Sequence, residues 1–212
     1  MVKINPAKVL ETYEEQRLTD VLLEDDLYMG TALIIGEKQV EEVFPRIYLN
    51  KVVIKNSVFT GTDFSHISLT DVRFENCDLS NTNFNYASMM RVEFVDCKLV
   101  GCNLTKSFLG HVSFQSSIFN MGMFGGAKFQ NVKFIETDIR NADFYQCSFK
   151  NVIFLTSDLN DANFEETSLK GVDISSSYFD TLNVSIEQLR GCKVSSLQAI
   201  QFASLFGLKV QD

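Results

Sequence analysis

Tryptophan is absent from these 212 residues, proline occurs twice and histidine twice. Long apolar runs are missing as well, which excludes a membrane-spanning helix, and the opening stretch from Met1 to Leu10 lacks the apolar core of a secretory leader. The expectation is a cytoplasmic protein with no membrane partner. The five cysteines are an odd set at irregular spacing, which fits free thiols better than a disulfide framework. Lysine and arginine number 19 against 27 acids, for a formal net charge of −8. Phosphate backbones are held by clustered cations, so direct nucleic-acid binding is disfavoured, although a protein partner that itself binds nucleic acid is not.

What is abundant is phenylalanine, 19 residues of it. From Phe44 to Phe179 every residue whose number ends in 4 or 9 is apolar: 28 positions holding 16 Phe, 8 Leu, 3 Ile and 1 Met. A helix repeats at 3.6 residues and a strand at two, so neither produces a strict five as the main structure. With that central residue called i, position i−2 is small or β-branched (Thr62, Cys77, Thr82, Ala87, Ala142), which marks a second inward row limited in size. Position i−1 often holds Asp or Asn (Asp63, Asp78, Asn83, Asp138, Asp143), whose short side chains bond nearby backbone in turns. Val52, Val72, Val92, Val112, Val132, Val152 and Val172 lie twenty residues apart, so four pentads make one coil and like residues stack on one side. The expectation is an all-β solenoid, a right-handed quadrilateral β-helix of about seven coils over 44–183. A helical N-terminal cap over 1–43 and a helical C-terminal cap over 184–212 flank it.

Units such as Ala142-Asp143-Phe144, Ala162-Asn163-Phe164 and Cys77-Asp78-Leu79 resemble those of the pentapeptide-repeat family. The resemblance implies a non-catalytic, protein-binding rod. Among bacterial members it implies a protector or modulator of DNA gyrase or topoisomerase IV, in a resistance or toxin-immunity role, whose width and acidity are similar to those of duplex DNA. This chain departs in having an unbroken phase without looped insertions and a repeat region of only slight negative charge. A general interaction scaffold unrelated to topoisomerases is the alternative.

At the N-terminus, Asn5-Pro6 reads as a helix start, and Val9, Leu10, Tyr13, Leu18, Val21 and Leu22 extend a helical spacing to about Glu24. At the C-terminus, Ser185 to Gln188 suggests a short turn, and a helix from Ser195 to Phe206 ends at Gly207. Leu197, Ile200, Phe202, Leu205 and Phe206 cover more than one helical stripe, which leaves two arrangements open: a helix lying across the last coil, or a homodimer contact.

Residues 136–180 hold nine acids and three bases. Glu136, Asp138, Asp143, Asp158, Asp161, Glu165, Glu166 and Asp173 therefore form an acidic end, either simply solvated or facing a basic partner. Val95, Ile135, Ile153 and Leu155 make an outward apolar row, a candidate interface or the place where the N-terminal segment folds back. All five cysteines fall in the small inward class, and His66 and His111 lie on different sides as surface residues. No catalytic, metal or cofactor-binding residues are expected, because two inward rows fill the coil and no nucleophile or phosphate-loop motif occurs.

Overall fold

The computed structural model describes residues 4–10, 12–44 and 46–211; Met1–Lys3, where the expected capping segment begins, lie outside them. An inward residue every fifth position requires one corner per pentad. The corner lies at i+2, where every residue from Thr31 to Gly171 has a positive φ, between 48° and 81°. That left-handed conformation costs roughly 1–2 kcal/mol for a residue with a Cβ. Glycine at Gly61, Gly101 and Gly126 avoids the cost, and Asn or Asp at Asn56, Asn76, Asn81 and Asp96 bears it best. The i−1 carboxyl and amide groups brace the turn. Asp63 Oδ1 accepts from Ser65 N–H (2.8 Å) and Asn103 Oδ1 from Thr105 N–H (2.9 Å). Inward hydroxyls at i−2 bond across the coil, as Thr82 Oγ1 does to Phe59 O (2.9 Å).

Each coil stacks on the last at an offset of twenty. Strands Ser68–Glu75, Ser88–Val95, Phe108–Gln115, Lys128–Ile135 and Ser148–Leu155 pair in parallel, bringing Val72 onto Val92 and Phe94 onto Phe114. These strands form two sides of the square, a first centred on the Leu69 column and a second on the Phe74 column. The third (Leu79) and fourth (Phe84) sides are held by single bridges such as Asp78↔Lys98 and Asn83↔Asn103. The coil starts earlier than Phe44, because Tyr28–Gly30 pairs with Tyr48–Asn50 and Ala32–Ile35 with Val53–Lys55. It also runs later, to the Asp173↔Lys193 bridge.

Inside, 27 of the 28 central residues from Phe44 to Phe179 are buried, and Phe149 alone is half-buried. Phe74, Phe94, Phe114, Phe134 and Phe154 stack with ring centroids 4.9–5.0 Å apart and planes within 12° of parallel.

Both open ends are plugged. The N-terminal helix expected from Asn5 to Glu24 is not formed. Among the described residues of this segment, 4–10 form neither helix nor strand, Glu14–Glu15 pairs with Ala32–Leu33, and only Leu18–Leu23 is helical, as a 3-10 turn whose Leu18 and Val21 are fully buried on the first coil. Tertiary bonding overrides the helical spacing: the segment is a strap lying along a polar column at the corner between the first and second sides. Asn5 N–H donates to His111 Nδ1 (3.1 Å) and Lys8 N–H to Asp71 Oδ1 (3.0 Å). Asp71, 3% exposed, takes a two-pronged contact from Arg91 at 2.6 and 2.8 Å. His111 is therefore half-covered, not a free surface residue.

At the other end α1 (Ile186–Leu189) and α2 (Ser196–Leu205) carry capping boxes from Ser185 and Ser195. Buried Gln198 donates Nε2 to Ile174 O (2.8 Å) and Ser177 O (2.7 Å), and Phe202 packs on Phe179 at 5.0 Å. Among the described residues no helix is long and apolar enough to cross a membrane.

Truncating Phe114, buried between Phe94 and Phe134, to alanine should cost about 3–5 kcal/mol in urea unfolding. Gln115→Ala next to it should change stability by less than about 0.5 kcal/mol.

The Arg91 guanidinium holds the Asp71 carboxyl below its ordinary range, against the opposing effect of burial. Its stabilisation is thus present above the unfolded value of about 4 and is lost as pH falls through the lower folded value. Asp71→Asn should speed hydrogen exchange at the Lys8 amide near neutral pH and remove this acid-dependent component, read by exchange measured across pH 2–7.

Candidate binding surfaces

Register decides which of the acidic residues meet. Asp138, Asp158 and Asp161 lie on the third side, Asp143, Glu165 and Glu166 on the fourth, and Glu136 and Asp173 on the second, so the acidic end wraps three sides instead of forming one face. The stacked Asp138 and Asp158 do not confront each other bare. Arg140 reaches Asp138 with two bonds (2.7 and 2.9 Å) and approaches Asp158 at 3.5 Å. That guanidinium holds the Asp138 carboxyl below its usual range. Asp173 is lowered chiefly by the Ser175 hydroxyl, and Asp143 Oδ1 accepts from Asn163 Nδ2 (2.8 Å). Asp161, Glu165 and Glu166 are exposed and, among the described residues, form no ion pair.

The apolar row is split. Ile135 and Leu155 are in register and Ile153 is their neighbour on the same strand, whereas exposed Gln115 separates them from Val95. The strap's bonds to Asp71 and His111 run along the adjacent corner and leave this row uncovered. Of the five C-terminal apolar residues, Phe202 is spent on the last coil, because the open core there needs a lid, and is not available to a second copy. Leu197 (68% exposed), Ile200, Leu205 and Phe206 face solvent.

Side-chain chemistry is muted elsewhere. Burial pushes the Cys147 thiol up to about 12 and Cys192 to about 11, and raises Cys102 further, so these sulfurs stay protonated at neutral pH. His66 is stacked on Tyr86 at 5.0 Å, while His111 is held by Asn5 and Asn131. A groove between the strap and the second side, about 590 Å³, has its charges already matched: Glu75 sits 3.3 Å from Lys55 and 3.4 Å from Arg73. The Asp71–Arg91–His111 column went unnoticed in the sequence, although opposite charges twenty residues apart at i+2 signal such a pair.

Residues 67–144 match a family model described as a pentapeptide repeat region, and a second model, described as the SV2A/B/C luminal domain, matches 12–105. No curated protein matches the chain. Among solved structures the chain is similar to QnrB1, a plasmid-mediated fluoroquinolone resistance protein, at 17% identity and a TM-score of 0.35, covering 87% of this chain and 92% of that one. It is also similar to the pentapeptide repeat protein Rfr23 from the cyanobacterium Cyanothece 51142 (15%, 0.41, covering 69% and 98%). A third is HetL, a pentapeptide repeat protein from the cyanobacterium Nostoc involved in heterocyst differentiation regulation (12%, 0.27, covering 79% and 76%). Residues 67–144 thus carry a pentapeptide repeat region, and the five-residue phase of that segment continues through the coils on either side of it.

Proposed function

We propose that this protein is a non-catalytic cytoplasmic rod that acts by presenting its outer sides to a protein partner. The observation that carries this reading is the filled interior: inward columns from all four sides occupy the coil and leave its centre no room for a substrate. The protonated thiols of Cys102, Cys147 and Cys192, and the carboxylates of Asp71 and Asp138 held by Arg91 and Arg140, are not activated nucleophiles or acid–base groups.

The partner that suits the acidic C-terminal half has a basic, DNA-binding surface, and DNA gyrase and topoisomerase IV are of that kind. Asp161, Glu165 and Glu166 are the contact residues in this reading, since their carboxylates have no internal cation to give up. Surface plasmon resonance against both enzymes should show binding that weakens about tenfold between roughly 50 and 200 mM salt, because exposed charges are screened over about a Debye length. Neutralising Asp161, Glu165 and Glu166 together should weaken it comparably. Absence of salt-sensitive binding to either enzyme would remove the topoisomerase reading. A general scaffold would then stand, favoured by the uncovered Ile135, Ile153 and Leu155.

A homodimer through α2 is part of the same reading, supported by the contiguous exposure of Leu197, Ile200, Leu205 and Phe206. Sedimentation equilibrium should give twice the 24.0 kDa chain mass, and Leu197→Asp with Ile200→Asp should give the monomer. A native chain that sediments as a monomer at micromolar concentration sinks the dimer.

A further inference from the structure

In a stacked coil each strand bonds to the coil on either side, so a missing set of backbone bonds needs an account. On the first side the pattern repeats from coil to coil: Ser88 N–H to Ile67 O (2.9 Å), Phe108 to Ala87 (2.9 Å), Lys128 to Ser107 (2.9 Å) and Ser148 to Ala127 (3.0 Å). The next bond, Ser168 N–H to Cys147 O, is not made. Among the described residues no backbone bond joins 148–151 to 168–171, and Ser148–Leu155 is the last strand of its sheet. Cys147 N–H donates to Thr167 Oγ1 (2.7 Å), as Ala87 N–H does to Ser107 Oγ in an intact coil (3.1 Å), and Leu169 N–H bonds onward to Gln188 O (2.9 Å). The wall closes again on either flank, through Gln146 N–H to Glu165 O (3.2 Å) and Phe154 N–H to Asp173 O (3.4 Å).

The opening is a cleft of about 440 Å³ lined by Cys147, Ser148, Phe149, Glu166, Ser168 and Lys170. That volume lies within the range of small-ligand sites, about 300–1,000 Å³. Its floor is the Phe149 ring, the one central residue of the repeat that is half-exposed, turned edge-on to Phe129 (4.9 Å, 79°). The N–H groups of Phe149, Asn151 and Ser168 have no backbone partner there. Lys150 and Lys170 occupy the same position one coil apart, Lys128 lies just below, and all three are exposed without an ion pair among the described residues. Like charges one coil apart repel, so an anion between them is favoured. Glu166 at the rim is engaged by Gln146 Nε2, and the Cys147 thiol stays neutral.

We infer that this cleft binds a carboxylate carried on an apolar body, whether a free organic acid or the C-terminal residue of a partner polypeptide. The carboxylate sits between Lys150 and Lys170, accepting from the free backbone N–H groups, and the apolar body lies on Phe149. The cleft adjoins the acidic surface assigned to a basic partner, which it meets at Glu166.

Isothermal titration at low salt with 3-phenylpropanoate and its neutral amide, and with N-acetyl-Gly-Gly-Leu bearing a free or amidated C-terminus, tests it. Saturable binding of either carboxylate, at least tenfold tighter than its amide, is expected. Free acid alone binding points to a small-molecule source, and the peptide alone points to a protein source. Lys150→Gln with Lys170→Gln, both exposed, should keep the thermal melt and reduce the preference to within twofold. Phe149→Leu, which places there the leucine found in the same column at Leu109 and Leu169, should weaken both carboxylates several-fold. Equal binding of acid and amide, no saturable binding of either carboxylate, or an unchanged preference in the lysine variant would overturn the inference.

Discussion

The left-handed corner at i+2 is the constraint on which this molecule rests. It turns the chain once per pentad, and through it the residues at i and i−2 come back inward at the same angle on every side. Each non-glycine corner is locally unfavourable, so no single pentad could hold it. What holds it is stacking. Every corner lies against the corners of adjacent coils, the parallel backbone bonds recur at an offset of twenty, and the Phe and Leu columns remove the interior from water together. Stability in such an array is a sum of coil-to-coil contacts, and the terminal coils are therefore its weak points.

The two ends solve that problem differently. At the start, a 3-10 turn drops Leu18 and Val21 onto the first coil, and a strap ties the preceding residues to a buried Asp71–Arg91 pair four pentads apart. At the finish, Gln198 donates to the carbonyl groups of Ile174 and Ser177, while Phe202 lids the aromatic column at Phe179. The consequence for function is a division of labour. With the interior filled and the ends covered, binding is left to the outer sides, and each presents different chemistry: lysines on the first, an apolar patch on the second, carboxylates on the third and fourth.

The cleft at Phe149 is a place where this regularity lapses within the coils. A full interior and an open wall are compatible because the lapse removes backbone bonds between two coils and no inward side chain: Leu169 remains fully buried above it. A rod of this kind can thus carry a small, chemically specific site without a hollow core.

Much of this was determined by the amino-acid order alone. A period of five with a superperiod of twenty leaves the backbone one way to keep 28 apolar side chains inside, and the Asp and Asn residues at i−1 announce the turns they brace. The capping serines at Ser185 and Ser195 likewise declare their helices by purely local bonding. Only the tertiary structure decided the rest, because it depends on partners far apart in the chain. Val9, Leu10 and Tyr13 have helical spacing, yet none of them is in a helix, and the preceding amides of Asn5 and Lys8 find His111 and Asp71 across the coils. Asp138 and Asp158 look like a repelling pair until Arg140 is seen between them, and Phe202 looks like Leu197 until one is found on the coil and the other in water. Composition counts charges and apolar groups, but which of them remain free is settled by the neighbours that folding brings within reach.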